Sequence, residues 1–476
     1  MLFRSTTYRG FEQIMVGRSP RDALVITPRI CGICSTAHLY AAVCALEDAW
    51  RIAPPANAVH IRNVSLMAEI IQSDLRQTFL FFTPDFCHAR YAAFPGFDAV
   101  IAAFAPFKGW MHLETLRYSR RVIEIVALFA GQWPHSSHMV PGGVTAPATV
   151  RRIVDAQSLI AEITRWVEQR ILGGNLEAWL TLVHADEFEH WVSERPAAAL
   201  TLLAQAAWFA GLHTMGFGSP HLLSFGTLVL PEPMASRSHR MASGVRLGSD
   251  APLVPLNPNA ISEHVRYSWF KPHPGGGQHP FDGESVPDYQ PASDRYSWAK
   301  APRYGSDVMQ TGPLADLMMD GDPLTVDLYR REGGNAWLRQ LARLRRMTKL
   351  LLFLRQTLDQ LAARIDEPHM APVPLDIERD GQGAGLLTAA RGALGHWISI
   401  REGVFDRYQI ITPTAWNASP RDSDGVRGHW EESLIGVPVS DPEDPLEIGH
   451  VIRSHDPCLV CTVHVLASGR RIRLGV

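Results

Sequence analysis

Four of the six cysteines fall into two pairs near opposite ends of a 476-residue chain, Cys31 with Cys34 and Cys458 with Cys461. Two residues between cysteines let both sulfurs turn toward one point, and two such pairs supply four thiolates, enough for a soft or borderline metal. The same spacing serves a structural zinc, an iron-sulfur site or a redox dithiol. Structural zinc pairs close small modules, whereas about 424 residues part these two. A shared site would therefore join distant parts of a large fold. Cys44 and Cys87 stand alone and read as small buried hydrophobes.

The flanking residues narrow the choice. The first pair lies in TPRICGIC, with His38 four residues on; the second lies in DPCLVCTVH, which begins at Asp456 and ends on His464. RxCGxCxxxH in one place and DPCxxCxxH in the other closely resemble the two metal-binding signatures of the nickel-iron hydrogenase large subunit. YRGFEQIMVGR around Glu12 resembles the RGxE element of that family, and WPHSSHMVPGGVT (133–145) its VPGGVT region. The order Tyr267-Ser268-Trp269, His279-Pro280, then YSWAKAPRY (296–304) and TPTAWNASPR (412–421) is similar to its later segments. The similarity runs from about residue 8 to residue 464.

The resemblance implies a catalytic subunit that interconverts H2 with protons and electrons, most naturally in the direction of H2 uptake. Cys31, Cys34, Cys458 and Cys461 would ligate nickel, and Cys34 and Cys461 would bridge to an iron carrying carbon monoxide and cyanide. Arg391, in ARGALGHW, matches an arginine that hangs over the open metal site, with Ala390 where the family has proline. A guanidinium stays charged, which favours electrostatic positioning over action as a base. Asp456 and Asp74 match the carboxylates that would hold it, although Ser73 stands where many relatives have histidine. Glu12, the backbone carbonyl of Ile410 and His464 would ligate magnesium, a cation that prefers oxygen donors. His38 resembles a residue that hydrogen-bonds a bridging thiolate.

The resemblance also implies partners: an iron-sulfur small subunit to take the electrons, nickel-insertion factors, a maturation endopeptidase, and a membrane cytochrome b reached through the small subunit. The endopeptidase of this family cuts after the final histidine, here between His464 and Val465, so residues 465–476 are expected to be an extension removed on maturation and 1–464 the working domain. The family's RIEGH element, which lies some thirty residues before RGxE, is not expected here, because only 11 residues precede Glu12. The first residues carry no apolar signal-peptide core, which leaves the cytoplasmic and periplasmic faces of the membrane equally open. A hydrogen-sensing subunit signalling to a regulatory partner would keep the same site.

Positioning such a site calls for a large core. Hydrophobic residues make up 46% and charged residues 20% of the chain, a globular composition that excludes disorder and collagen. A net charge of −3 gives no basic field for nucleic acid, so no nucleic-acid partner is expected. Helical spacing of apolar residues predicts helices over 61–82, 113–130 and 153–167, and a long one over 335–363. The arginines and lysines of that last helix read as its solvated face. Residues 231–312, rich in proline, glycine, serine and aromatics, read as loops and short strands, and 368–376 as a proline-rich connection. The fold class expected is mainly α (α+β): one large domain on a long-helix bundle, with the two CxxC motifs meeting at a buried metal centre.

Overall fold

Two short helices, α1 (Phe11–Met15) and α2 (Ala23–Ile26), lead into a single turn of 3-10 helix, Thr27–Arg29, and then into the first cysteine pair. The computed structural model describes residues 2–5, 7–231, 238–372, 379–458, 464–467 and 470–473, giving the backbone alone for 2–4, 464–467 and 470–473. Helix α3 (Ser35–Trp50) starts on the residue after Cys34 and stops where Arg51 turns left-handed, at φ 58°. Helix α4 (Ala56–Arg76) opens behind Pro54 and Pro55, an extended pair that cannot continue a preceding helix. Every residue of α4 from Asn57 to Leu75 is buried, which places it at the centre of the helical layer.

Around α4 stand α5 (Phe97–Phe104), α6 (Trp110–Ala130), α7 (Val150–Trp166) and the 28-residue α8 (Ala336–Ala363). Helices α6 and α8 pack on α4, and α7 packs on both of them. The Asn335 side chain starts α8 by accepting the Leu338 N–H at 2.7 Å. The predicted 61–82 helix continues past α4 as a π-helical stretch, Gln77–Phe82, an irregularity common near functional sites. A later helix, α9 (Leu446–Ser454), ends two residues before Asp456.

The basic side chains of α8 overturn the expectation of a solvated face. Arg339, Arg343, Arg345 and Arg346 are buried, the last of them completely. Arg346 forks onto Asp74 and Asp316, and Arg345 onto Asp322. Pairing to carboxylates on neighbouring elements is what makes burial of these charges tolerable. From one sequence, a solvated arginine and a paired buried one look alike.

The strands that frame the site include β1 (Leu2–Arg4), β2 (Ile261–His264), β3 (Ala301–Tyr304), β4 (Gly381–Ala389), β5 (Gly392–Arg401), β6 (Val404–Ile411), β7 (His464–Ala467) and β8 (Arg470–Arg473). Within 231–312 the expected loops and short strands are present, β2 and β3 pairing antiparallel. Strands β4, β5 and β6 form an antiparallel meander, and β1 pairs with β7. Ala389 opposes Gly392, so Ala390 and Arg391 form the two-residue tip of the β4–β5 hairpin.

Helix α3 lies flush against β4. Gly383 and Gly385, two apart on one face of the strand, sit under Ala45 and Ala41, four apart on one face of the helix. A Cβ on either glycine would run into the backbone carbonyl oxygen of the alanine above it. The sequence thus brings the helix that follows Cys34 and the hairpin that carries Arg391 into one rigid unit.

Candidate metal centre

Cys34 occupies the position just ahead of the first turn of α3, where the positive end of the helix favours a thiolate. Cys31 lies three residues earlier, its sulfur accepting the Ile33 N–H at 3.4 Å. Thr27 ties this loop down by donating to the carbonyl of Ala23 at 2.7 Å. Cys458 arrives from the other end of the chain, two residues beyond Asp456, and its thiol and that of Cys34 both hydrogen-bond the Cys31 sulfur. Those hydrogen bonds, helped by Arg391, hold the Cys31 thiol far below its ordinary pKa against the effect of burial. The Cys34 thiol is pushed the opposite way, first by Cys31 and then by burial.

Arg391 projects from the tip of the β4–β5 hairpin toward these sulfurs. Its Nε donates to the Asp456 carboxylate at 3.1 Å and to the Asp456 backbone carbonyl at 3.2 Å. Burial works against its charge, but Asp456 and the three cysteines outweigh it and raise its pKa. Asp456 is left-handed, at φ 56°, a conformation aspartate tolerates better than most residues. Arg391 Nη1 and Asp456 Oδ2 are buried and have no hydrogen-bond partner among the described residues.

The expected link from Asp74 to Arg391 is not made. Asp74 instead accepts two hydrogen bonds from Arg346, at 2.7 and 3.2 Å, and lies 3.8 Å from Arg343. Burial lifts its pKa to about 6 against the pull of Arg346. The reason is geometric: α4 and α8 are packed face to face, so Arg346 reaches Asp74 first, while Arg391 comes from a different layer.

His38 sits one turn into α3 with its Nδ1 3.1 Å from Nε2 of His396, whose Nδ1 is 2.8 Å from the Tyr408 hydroxyl. Burial keeps His38 neutral, with its pKa lowered to about 4 although the Cys31 sulfur pulls it upward. No hydrogen bond from His38 to a cysteine sulfur is formed among the described residues.

A second cluster adjoins the first. The Glu12 carboxylate accepts the Ile410 N–H at 2.9 Å and faces the Lys300 ammonium at 3.2 Å. Lys300 is shared with Glu263 at 2.6 Å, and burial raises the Glu263 carboxyl to about 7. The other Glu263 oxygen, Oε1, is buried with no hydrogen-bond partner among the described residues. These residues line a cavity of about 80 Å³ together with Tyr8, Trp298 and Thr412. Sequence reading named Glu12 and Ile410 but missed Glu263 and Lys300; the lysine of YSWAKAPRY was in view, yet nothing in its spacing says that it is buried between two carboxylates.

Among the described residues no three His, Cys, Asp or Glu side chains form a complete metal cage. Cys461 lies outside the described residues, and of His464 and Val465 only the backbone is described, in β7. The donors that are described fit a nickel-iron group nonetheless: three adjacent soft sulfurs, a guanidinium beside them, and a buried Nη1 with nothing among the described residues to accept from it. The orphaned Glu263 oxygen beside Glu12 fits a hard cation or its bound water in the same way.

The family model for nickel-dependent hydrogenases matches residues 9–93 and 109–464. The chain is 30% identical to the periplasmic [NiFeSe] hydrogenase large subunit of Desulfomicrobium baculatum, over 96% of this chain and 88% of that one. It is 28% identical to the uptake hydrogenase large subunit of Bradyrhizobium diazoefficiens, over 97% and 90%. The solved structure of a reduced, active form of the D. baculatum Ni-Fe-Se hydrogenase superposes with a TM-score of 0.79 at 27% identity, covering 95% of this chain and 92% of that chain. The stretch left unmatched by the family model, 94–108, holds α5 and the turn after it. With the family model matched over most of the chain and the overall architecture shared, the chain belongs to the nickel-dependent hydrogenase family and is the catalytic large subunit of a nickel-iron hydrogenase, an oxidoreductase acting on H2.

Proposed function

We propose that this subunit oxidises H2 and hands the electrons to an iron-sulfur small subunit, with Cys31, Cys34, Cys458 and Cys461 as the nickel ligands and Cys34 and Cys461 bridging to an iron that carries carbon monoxide and cyanide. The observation that carries this reading is the Arg391–Asp456 pair set over the three described cysteines. When bound, a nickel-iron group supplies the electrophile that polarises H2. The chain's own part is to keep the site dry, to place a fixed positive charge beside it, and to hold that charge still. Asp456 does the last by engaging Arg391 through both its side chain and its backbone, so the guanidinium cannot swing away without breaking two hydrogen bonds. Asp74 serves at one remove, by fixing Arg346, which also hydrogen-bonds the carbonyl of Ala390, the neighbour of Arg391 in the hairpin tip. The His38–His396 pair lies at the base of the loop and buttresses it.

Glu12, the Ile410 carbonyl and His464 would hold magnesium, with Lys300 and Glu263 around it. Residues 465–476 form the extension a maturation endopeptidase would remove after nickel insertion. A membrane cytochrome b would be reached through the small subunit; no helix among the described residues is long and apolar enough to cross a membrane. The test is the infrared spectrum of the chain co-produced with its small subunit and maturation factors, with nickel and iron measured on the same sample. Iron-bound carbon monoxide and cyanide bands with one nickel per chain are expected. Zinc without those bands, in a host that matures a known hydrogenase, overturns the reading.

A further inference from the structure

The turn between α5 and α6 lies in the stretch outside the family match, and it presents an aromatic ring to solvent. The Lys108 N–H donates to the Ala105 carbonyl at 3.1 Å and closes a β-turn with Pro106 second and Phe107 third. Phe107 is left-handed, at φ 59°, the conformation that turns with proline second ordinarily give to glycine. A bulky side chain is strained there. Yet Phe107 is 76% exposed, the highest value of any large apolar side chain among the described residues. It rests against His112, ring centres 5.2 Å apart, and buries little of itself in doing so.

The turn holds this ring firmly. The Gly109 N–H donates to the same Ala105 carbonyl at 2.7 Å, and a Cβ on Gly109 would lie 2.3 Å from the Ala103 carbonyl oxygen. Glycine at 107 would serve so tight a turn better, so the phenylalanine answers to something outside the fold.

Its surroundings say what that is. Leu113 and Leu116 are exposed on the first turns of α6, and helical spacing sets Arg117 and Arg120 on the same face. Across residues 99–123 the one acid is Glu114, held by the Trp166 indole N–H at 2.8 Å and by Arg170 Nε at 3.2 Å. Lys108 and Arg117 are exposed, and neither forms an ion pair among the described residues. Arg120 comes only within 3.6 Å of Glu124. The whole chain carries a net charge of −3, so this basic rim is a local feature. An aromatic ring and two leucines ringed by unpaired cations complement an anionic lipid surface, which takes apolar groups between its headgroups and cations onto its phosphates. A protein partner would ask for hydrogen-bonding groups throughout the patch, and these three apolar side chains offer none.

We propose that this corner of the subunit rests on an anionic lipid bilayer, with Phe107 inserted among the headgroups, Leu113 and Leu116 beside it, and Lys108, Arg117 and Arg120 on the phosphates. The contact goes beyond the hydrogenase reading and does not depend on the metal centre.

The test is co-sedimentation of the full chain with vesicles of about two parts phosphatidylcholine to one part phosphatidylglycerol. The wild type is expected to bind them, and to bind phosphatidylcholine alone about tenfold more weakly. Phe107→Gly relieves the turn, so its melting temperature should hold or rise while its affinity for the anionic vesicles falls about tenfold. Lys108→Glu combined with Arg117→Glu should abolish the preference for phosphatidylglycerol. A wild type that ignores the anionic vesicles, or a Phe107→Gly chain that binds them as the wild type does, overturns the proposal. Weaker assembly of Phe107→Gly with the small subunit, at unchanged vesicle affinity, makes this corner a protein interface and overturns it as well.

Discussion

Arg391 and Asp456 grip each other twice: the one Nε–H of the arginine is shared between the side chain and the backbone carbonyl of the aspartate, at 3.1 and 3.2 Å. The pair joins the tip of a β-hairpin to the segment that delivers Cys458, so the charge over the site and one of its sulfurs are set by the same contact.

Arg391→Lys keeps a positive charge but loses the rigid fork that Asp456 holds. The variant is expected to retain nickel while turnover falls about a hundredfold, the scale seen when one preorganised charged donor is removed. H2 oxidation measured beside nickel content checks it; nickel loss would make Arg391 a structural residue instead.

Asp74→Ala leaves Arg346 with Asp316 alone and Arg343 without its nearby carboxylate. Breaking a buried pair from one side costs about 3 kcal/mol. Denaturant unfolding should show that loss, and because Arg346 also holds Ala390, turnover should drop with it.

Cys458→Ser removes one soft donor from beside Cys31. Matured protein should then carry no nickel and oxidise no H2; full nickel retention in this variant would remove Cys458 from the ligand set.

His138 gives a stability effect with a definite sign. Burial, helped by the nearby Arg62 charge, lowers its pKa from 6.5 to about 3, so the folded chain holds it neutral between Ser65 and Ser136. The unfolded chain binds a proton there below about pH 6.5, the folded chain only near 3. Its contribution is therefore full above 6.5 and lost progressively as pH falls toward 3. Between pH 7 and 5 the wild type should lose about 2 kcal/mol more than His138→Gln, measured by unfolding at both pH values.

Gly385→Val forces a side chain into the carbonyl of Ala41 and lifts α3 off β4. The expected cost is about 1–3 kcal/mol, and since α3 carries Cys34 at its head, nickel retention should fall along with the melting temperature.

Much of this was legible in the sequence because chemistry leaves sharp marks. The cysteine pairs, Glu12 and Arg391 lie in motifs whose residue order is specific, and the long helices lie in apolar runs of helical period. The meander that holds Arg391 was harder to see. Gly381-Gln382-Gly383-Ala384-Gly385 lacks the alternation of a half-buried strand, because its glycines answer to the carbonyls of α3 and not to a solvent face. Burial of the α8 arginines was equally hidden, since their partners Asp74, Asp316 and Asp322 come from remote parts of the chain.

The sulfurs of Cys31 and Cys458 touch although they lie 427 positions apart in the chain. A ribosome adding about 5–20 residues each second needs about 20–85 seconds to cover that distance. For all of that time Cys31 and Cys34 are exposed to the cell without the donor that completes their surroundings. Any ion that reaches them then meets an open pair of thiols on the head of a helix, and the order in which this site is filled is set by the clock of synthesis as much as by affinity.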